Sequence, residues 1–150
     1  MATSIADIRT SAGSKFYVTA SAPTTYDAAG FAALTFTEVL YISNLGEFGT
    51  VSNLVTFNSL GNRTVVKRKG SVDNGSIPVE MARVPGDAGQ ALLIAAAASD
   101  LSYSYKLETQ DGTIFYFSSQ CMSYTTNVGG VDDILTATAT LEIDNSIIEI

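Results

Sequence analysis

Apolar and polar residues alternate with a period of two over most of this chain, which is the pattern of strands half-buried in a sheet. Residues 15–20 set Phe16, Val18 and Ala20 against Lys15, Tyr17 and Thr19. Residues 35–43 put Phe36, Leu40 and Ile42 on one face and Val39 and Tyr41 on the other, so a strand covered on both sides is expected. Residues 64–69 are β-branched, then basic, and residues 76–83 place Ile77, Val79 and Met81 opposite Glu80. Asp73-Asn74-Gly75 between them reads as a hairpin turn. A second hairpin alternates Tyr103, Tyr105 and Leu107 with Ser104, Lys106 and Glu108, turns at 110–113, and returns through 114–122. Asp111-Gly112 there suits the positive φ angles of a type I′ turn. The last strand sets Leu135, Ala137, Ala139, Leu141 and Ile143 against Thr136, Thr138, Thr140 and Glu142.

One helix interrupts the strands. Pro85-Gly86 ends the preceding strand, Asp87 is placed to cap, and Gln90 is placed to reach back to the cap backbone. Residues 88–98 follow without a single charge and are rich in alanine, the best helix former. A helix that is apolar all round needs cover on several sides. A sheet covers one side; a loop or a neighbouring subunit must supply the rest.

Two segments lack a clear period. Residues 21–33 are rich in Ala and Thr, and residues 44–62 scatter Leu45, Phe48, Val51, Leu54, Val55, Phe57 and Leu60 among glycines. Long loops in compact domains are usually functional or disordered, and the spread of apolar residues argues against simple disorder. The second segment reads as a contact arm with short strand pieces near 51–57. The fold class expected is therefore mainly β: a small antiparallel β-sandwich or barrel with one flanking helix at about 87–98 and a long inter-strand loop at about 44–62. Residues 1–150 read as a single domain, with no internal repeat or linker.

Composition narrows the chemistry. The 150 residues hold no His and one Cys, which excludes Ser-His-Asp and Cys-His catalysis, His-ligated zinc and an intrachain disulfide. Acids outnumber bases 15 to 8, so the net charge of −7 disfavours tight nucleic-acid binding. No cofactor, metal or enzymatic motif is found, and the chain reads as a non-enzyme. The N-terminus lacks a basic start and apolar core, so no signal peptide is expected, and the longest apolar run, 91–98, is far too short to insert in a membrane. Lys67, Arg68 and Lys69 alternate sides on a strand, so they read as a solvated strand end or a salt-bridge cluster with an acidic neighbour. Asp132-Asp133 reads as a polar turn rather than a calcium loop, Cys121 as a buried thiol, and Tyr103 and Tyr105 as cross-strand packing.

The order of elements, and the segment 64–92 above all, resembles the major tail tube protein of long-tailed bacteriophages with non-contractile tails. That segment holds a hairpin around 70–75, the strand ending Pro78-Val79-Glu80-Met81-Ala82-Arg83, and the helix start Pro85-Gly86-Asp87-Ala88-Gly89-Gln90-Ala91-Leu92. The 106–117 hairpin follows, although the chain lacks the Trp of some members. The resemblance implies hexameric rings stacked into a tube in the virion, assembled in the host bacterial cytoplasm. It implies as partners other copies of the chain, a tape measure protein, a tail terminator and distal tail proteins, with DNA passing through without tight binding.

On that footing Glu80, Glu142 and Asp144 become candidate lumen-facing acids. Phe48, Val51, Leu54, Val55 and Phe57 become candidate inter-ring contacts. Leu92, Leu93 and Ile94 become the candidate inter-subunit face of the helix. Apart from the resemblance, a secreted or surface β-sandwich binding module or adhesin remains the alternative.

Overall fold

The computed structural model describes residues 4–150. After a 3-10 turn at Ile5–Asp7, strand β1 (Lys15–Thr19) leads to a short helix α1 (Ala28–Ala32) and to two three-residue strands, β2 (Thr37–Val39) and β3 (Ile42–Asn44). Strands β4 (Val51–Phe57) and β5 (Val66–Asp73) follow, then β6 (Ser76–Ala82) and helix α2 (Ala88–Ala98). The chain ends with β7 (Tyr103–Glu108), β8 (Ile114–Asn127), β9 (Thr136–Ile143) and β10 (Ile148–Glu149). The main sheet is antiparallel and runs β2-β1-β7-β8-β9-β6-β3, with β10 also on β8; β4 and β5 form a sheet of their own.

The main sheet curls around its apolar face but does not close. Its two edge strands, β2 and β3, are consecutive in the chain and share no ladder. Only Leu40 and Tyr41 join them, with Tyr41 held at a φ of 62°, the left-handed region. The single strand expected over 35–43 is therefore two, and the corner reverses its faces: Val39 is buried while Leu40 and Tyr41 are exposed. Phe16, Val18, Ile77, Val79, Met81, Tyr105, Phe117, Ala139 and Leu141 fill the interior. The alternation expected for β9 holds from Ala137 to Ile143, whose odd-numbered residues are buried. Tyr105 stacks between Phe16 and Phe117 at 5.6 and 5.5 Å between ring centres, and Tyr103, partly buried, packs against the same core.

Strand β8 is long enough to serve two halves of the sheet. Its first residues, Ile114 to Ser119, pair with β7, and Ser119 to Asn127 pair with β9, with a bulge between Cys121 and Ser123. A bulge bends a strand and increases its twist, which is what carries the sheet around the core. The β7–β8 connection forms the hairpin expected, with a different turn. Only Gly112 has positive φ, and its N–H donates to Thr109 at 3.0 Å, so the turn is type I followed by a left-handed glycine.

Helix α2 packs on the curled sheet against β8, β2 and β1. Asp87 caps it by accepting from the Gln90 N–H at 3.1 Å. Gln90 does not return to the cap backbone. Its Oε1 accepts from Val84 N–H at 3.0 Å, and its Nε2 donates to Ala82 and Leu40 carbonyls at 2.9 and 3.2 Å. The end of β6 and the Leu40 corner leave those groups unpaired, and a buried amide with both donors and an acceptor satisfies them better than the helix end needs it. Gly89 allows the approach: a Cβ there would lie 2.3 Å from the Glu38 carbonyl oxygen. Residues 21–33, expected without regular structure, contain α1. It lays Phe31 against Tyr116 at 5.3 Å on the outer side of the sheet.

Candidate assembly surfaces

The β4–β5 hairpin projects from the body as an arm. It is here that the turn expected at 70–75 is corrected. Strand β5 does not pair with β6; it runs on through Gly70 to Asp73 and pairs with β4, Phe57 facing Val66 and Val51 facing Asp73. Gly70 lets Val55 lie across it, since a Cβ would meet the Val55 side chain at 2.7 Å. Asn74-Gly75 is then the joint between arm and body, with Gly75 at φ 89°. The sequence supplied both strands. It hid their pairing, because the connecting loop, residues 58–65, is eight residues long and Asp-Asn-Gly competes as a turn signal.

Cross-strand partners share a face, so the arm has two unlike faces. Val55, Phe57, Val66 and Arg68 lie on one; Ser52, Leu54, Thr56, Lys67, Lys69 and, past a bulge in β5, Val72 lie on the other. Val51, Leu54, Val55 and Phe57 are all more than half exposed, and Leu60 at the tip is fully so. Phe48 differs from its expected companions. It turns inward, edge-on to Phe115 at 5.3 Å, and belongs to the margin of the subunit's own core. The salt-bridge cluster expected at Lys67, Arg68 and Lys69 has no acid across the hairpin: the three face Thr56, Val55 and Leu54. Arg68 donates instead to the Lys67 carbonyl at 2.8 Å. Val66 and Val72 were missed as contact candidates; the β-branched pattern of 64–72 marks them once the hairpin is recognised.

The second surface is the seam where the sheet fails to close. A cleft of about 450 Å³ opens there, reaching Phe16, Val39, Phe48 and Leu107. Strands β2 and β3 each present a free ladder edge. So does β8 beyond Ser119, where β7 has ended and only β9 continues. Unpaired edges of this kind are templates for further strands.

The third surface is the outer face of β6 and β9. Glu80 and Glu142 are exposed on the same face, opposite Thr138 and Ser76 respectively, among the threonines of β9. Asp144 lies beyond the end of β9, is exposed, and accepts a hydrogen bond from Ser102. The fourth is the outward side of α2. Of the three helix residues expected to face a neighbour, Leu93 is fully buried in the subunit's own core, and Leu92 packs partly against it. Ile94 alone is exposed, because successive helical residues point about 100° apart and the three cannot share one face.

The chemistry of single residues is quiet. Burial pushes the Cys121 thiol up, and its sulfur donates to the Ser123 carbonyl at 3.4 Å. Hydrogen bonds from Thr109 and Thr113 hold Asp111 down at about 2. Among the described residues no helix is long and apolar enough to cross a membrane, and no three metal-ligating side chains gather.

Residues 49–146 match the family described as "Lambda phage tail tube protein, TTP". No curated protein matches the chain. Several solved structures share its fold. The sheath/tube terminator of an extracellular contractile injection system, PVC, in the extended state superposes with a TM-score of 0.67 at 12% identity, over 98% of this chain and 99% of that one. The SPP1 tail tube gives 0.60 at 16% identity, over 91% of this chain and 75% of that one. A chain of the anti-feeding prophage baseplate, from a six-fold symmetrised structure, gives 0.60 at 10% identity, over 91% and 90%. Identities this low carry the fold alone. The family match runs from the root of the arm through β9, well over half of the chain, and so this protein belongs to the lambda phage tail tube protein family.

Proposed function

We propose that the chain is a structural subunit that assembles into hexameric rings, that the rings stack into the wall of a phage tail tube, and that the bore conducts the genome during ejection. The observation that carries this reading is the arm: a two-stranded hairpin with exposed apolar residues on both faces and, among the described residues, no cover from its own body. An isolated two-stranded hairpin is marginal in water. The free edges of β2, β3 and β8 support it, since sheet edges that pair around a ring cease to be edges. The six-fold symmetrised assembly that contains one neighbour supports the ring number.

A wall of this kind needs a bore that does not hold DNA. Glu80 and Glu142 on a threonine-rich face suit that task, because carboxylates repel phosphate, and screening confines the repulsion to about 8 Å at physiological salt. The tape measure protein would occupy the bore before the DNA, with a tail terminator and distal tail proteins at the two ends. The finished tube resides in the virion after assembly in the bacterial cytoplasm, and the chain carries no catalytic step.

Negative-stain imaging and sedimentation of the purified protein across a concentration series test the reading. Hollow tubes or six-membered rings are expected. A monomer at millimolar concentration, or a monomer that binds glycan as an adhesin would, refutes it. Glu80→Lys with Glu142→Lys is expected to leave tubes intact and slow DNA release; unchanged release would remove these acids from the bore.

A further inference from the structure

Charge is divided between arm and body far more sharply than the net value suggests. Residues 51–73 hold four cations, Arg63, Lys67, Arg68 and Lys69, against one acid, Asp73, a net of +3. The rest of the chain holds the other four cations and fourteen acids, a net of −10. The same cationic hairpin exposes Phe57, Leu60 and Val66. Its complement would be an apolar hollow in an acidic surface. A duplex offers phosphate charge while its bases stay stacked inside, so duplex DNA fits the arm's apolar tip poorly.

The seam cleft offers both. Its interior reaches Phe16, Val39, Phe48 and Leu107. Glu38 lines it, and Glu47 and Glu108 each stand between two residues that do, against Lys15 as the one lining cation among the described residues. The arm cannot serve its own cleft. It leaves the body at Gly49, just past the cleft residue Phe48, and the seven residues of β4 carry its tip about 23 Å away.

We propose that the tip and apolar face of the arm of one copy seat in the β2–β3 seam of another copy, steered by the arm's cations toward the acidic body. The inference rests on the tube reading and names the partner surface of the arm within it. The contact is heterologous: donor and acceptor surfaces differ, so each copy gives one arm and receives one, and the contact propagates without self-completion. Opposite charge raises the encounter rate, and salt weakens it.

Disulfide trapping between two single variants tests this. One population carries Leu60→Cys at the tip; the other carries Ser11→Cys or Ser43→Cys at the cleft. Cys121 is buried and leaves the pairing unaffected. A mixed cross-link is expected, with little tip-to-tip product. Its yield is expected to fall several-fold between about 0.05 and about 0.5 M salt, where the screening length shortens from over 10 Å to a few ångströms. Lys67→Glu, Arg68→Glu and Lys69→Glu together are expected to lower the yield at low salt, and Glu38→Lys with Glu47→Lys on the receiving copy to restore it. Circular dichroism checks that each variant is folded; the salt series needs no charge variant.

Tubes without a mixed cross-link overturn the seat while leaving the tube reading intact. A mixed cross-link without tubes keeps the seat and overturns the tube. Tip-to-tip product alone, a yield that does not fall with salt, or loss of the cross-link to added duplex DNA overturns the proposal.

Discussion

Replacing Gln90 by leucine keeps the bulk of the side chain and removes every polar contact that its amide makes. Val84 N–H loses its acceptor, and the carbonyls of Ala82 and Leu40 lose a donor. A fully buried orphan costs about 1–3 kcal/mol. Leu40 is exposed and Ala82 and Val84 are half-buried, so water recovers part of the loss at each. About 1 kcal/mol per group is then reasonable, less a fraction regained from leucine's apolar contact, giving a loss of about 2–3 kcal/mol. With a urea slope of about 2 kcal/mol per M, the unfolding midpoint of the unassembled protein drops by about 1–1.5 M. Fluorescence or circular dichroism in a urea series reads it, and hydrogen exchange at the Val84 amide localises it. A midpoint unchanged within about 0.2 M, with Val84 still protected, would refute the claim that Gln90 fastens the helix to the sheet corner.

Gly75→Ala forces a Cβ onto a residue at φ 89° and to 2.8 Å from the Gly49 carbonyl oxygen. A loss of about 1–3 kcal/mol and faster exchange of the arm's amides are expected; wild-type stability and exchange would show that the joint tolerates the clash. Asp111 keeps a proton less readily when folded, at about 2, than in an unfolded chain, where a carboxyl titrates near 3.9. Its contribution is thus complete above about pH 4 and is lost as the pH falls through about 2. The stability gap between wild type and Asp111→Asn is expected to shrink over that window; a gap constant from pH 5 to 2 would contradict this. Cys121 is buried with its thiol pushed up, so a thiol reagent is expected to modify it only after denaturation. Rapid labelling of the native protein would place it elsewhere.

Where burial follows a simple period, the fold was legible in the amino acids. β9 could be read residue by residue because one face is apolar and the other threonine. α2 could be read from its cap and its alanines. What could not be read is pairing at a distance. β4 and β5 are each recognisable as strands, but eight intervening residues leave their partnership undetermined, and Asp73-Asn74-Gly75 offers a false nearer partner. The corner at Leu40–Tyr41 was hidden for a different reason. Phe36 to Ile42 alternates well enough for one strand, and only the sheet's curvature forces a tyrosine into the left-handed region. On the site, Val51, Leu54, Val55 and Phe57 are exposed, whereas Phe48 and Leu93 were claimed by the interior. Hydrophobicity marks a residue for burial without saying by whom.

A cylinder closed by a ladder can widen only by breaking hydrogen bonds all along its joint. This one is fastened by two residues of main chain, with Tyr41 at the elbow. Hydrogen bonds that tie Leu40 and Tyr41 to Asp87, Gln90 and Ala82 pin that elbow, so the girth can vary only as those few bonds loosen. A stack of such units would gather curvature at those elbows, longer on the outer side of a bend and shorter on the inner, while every strand pair stayed whole.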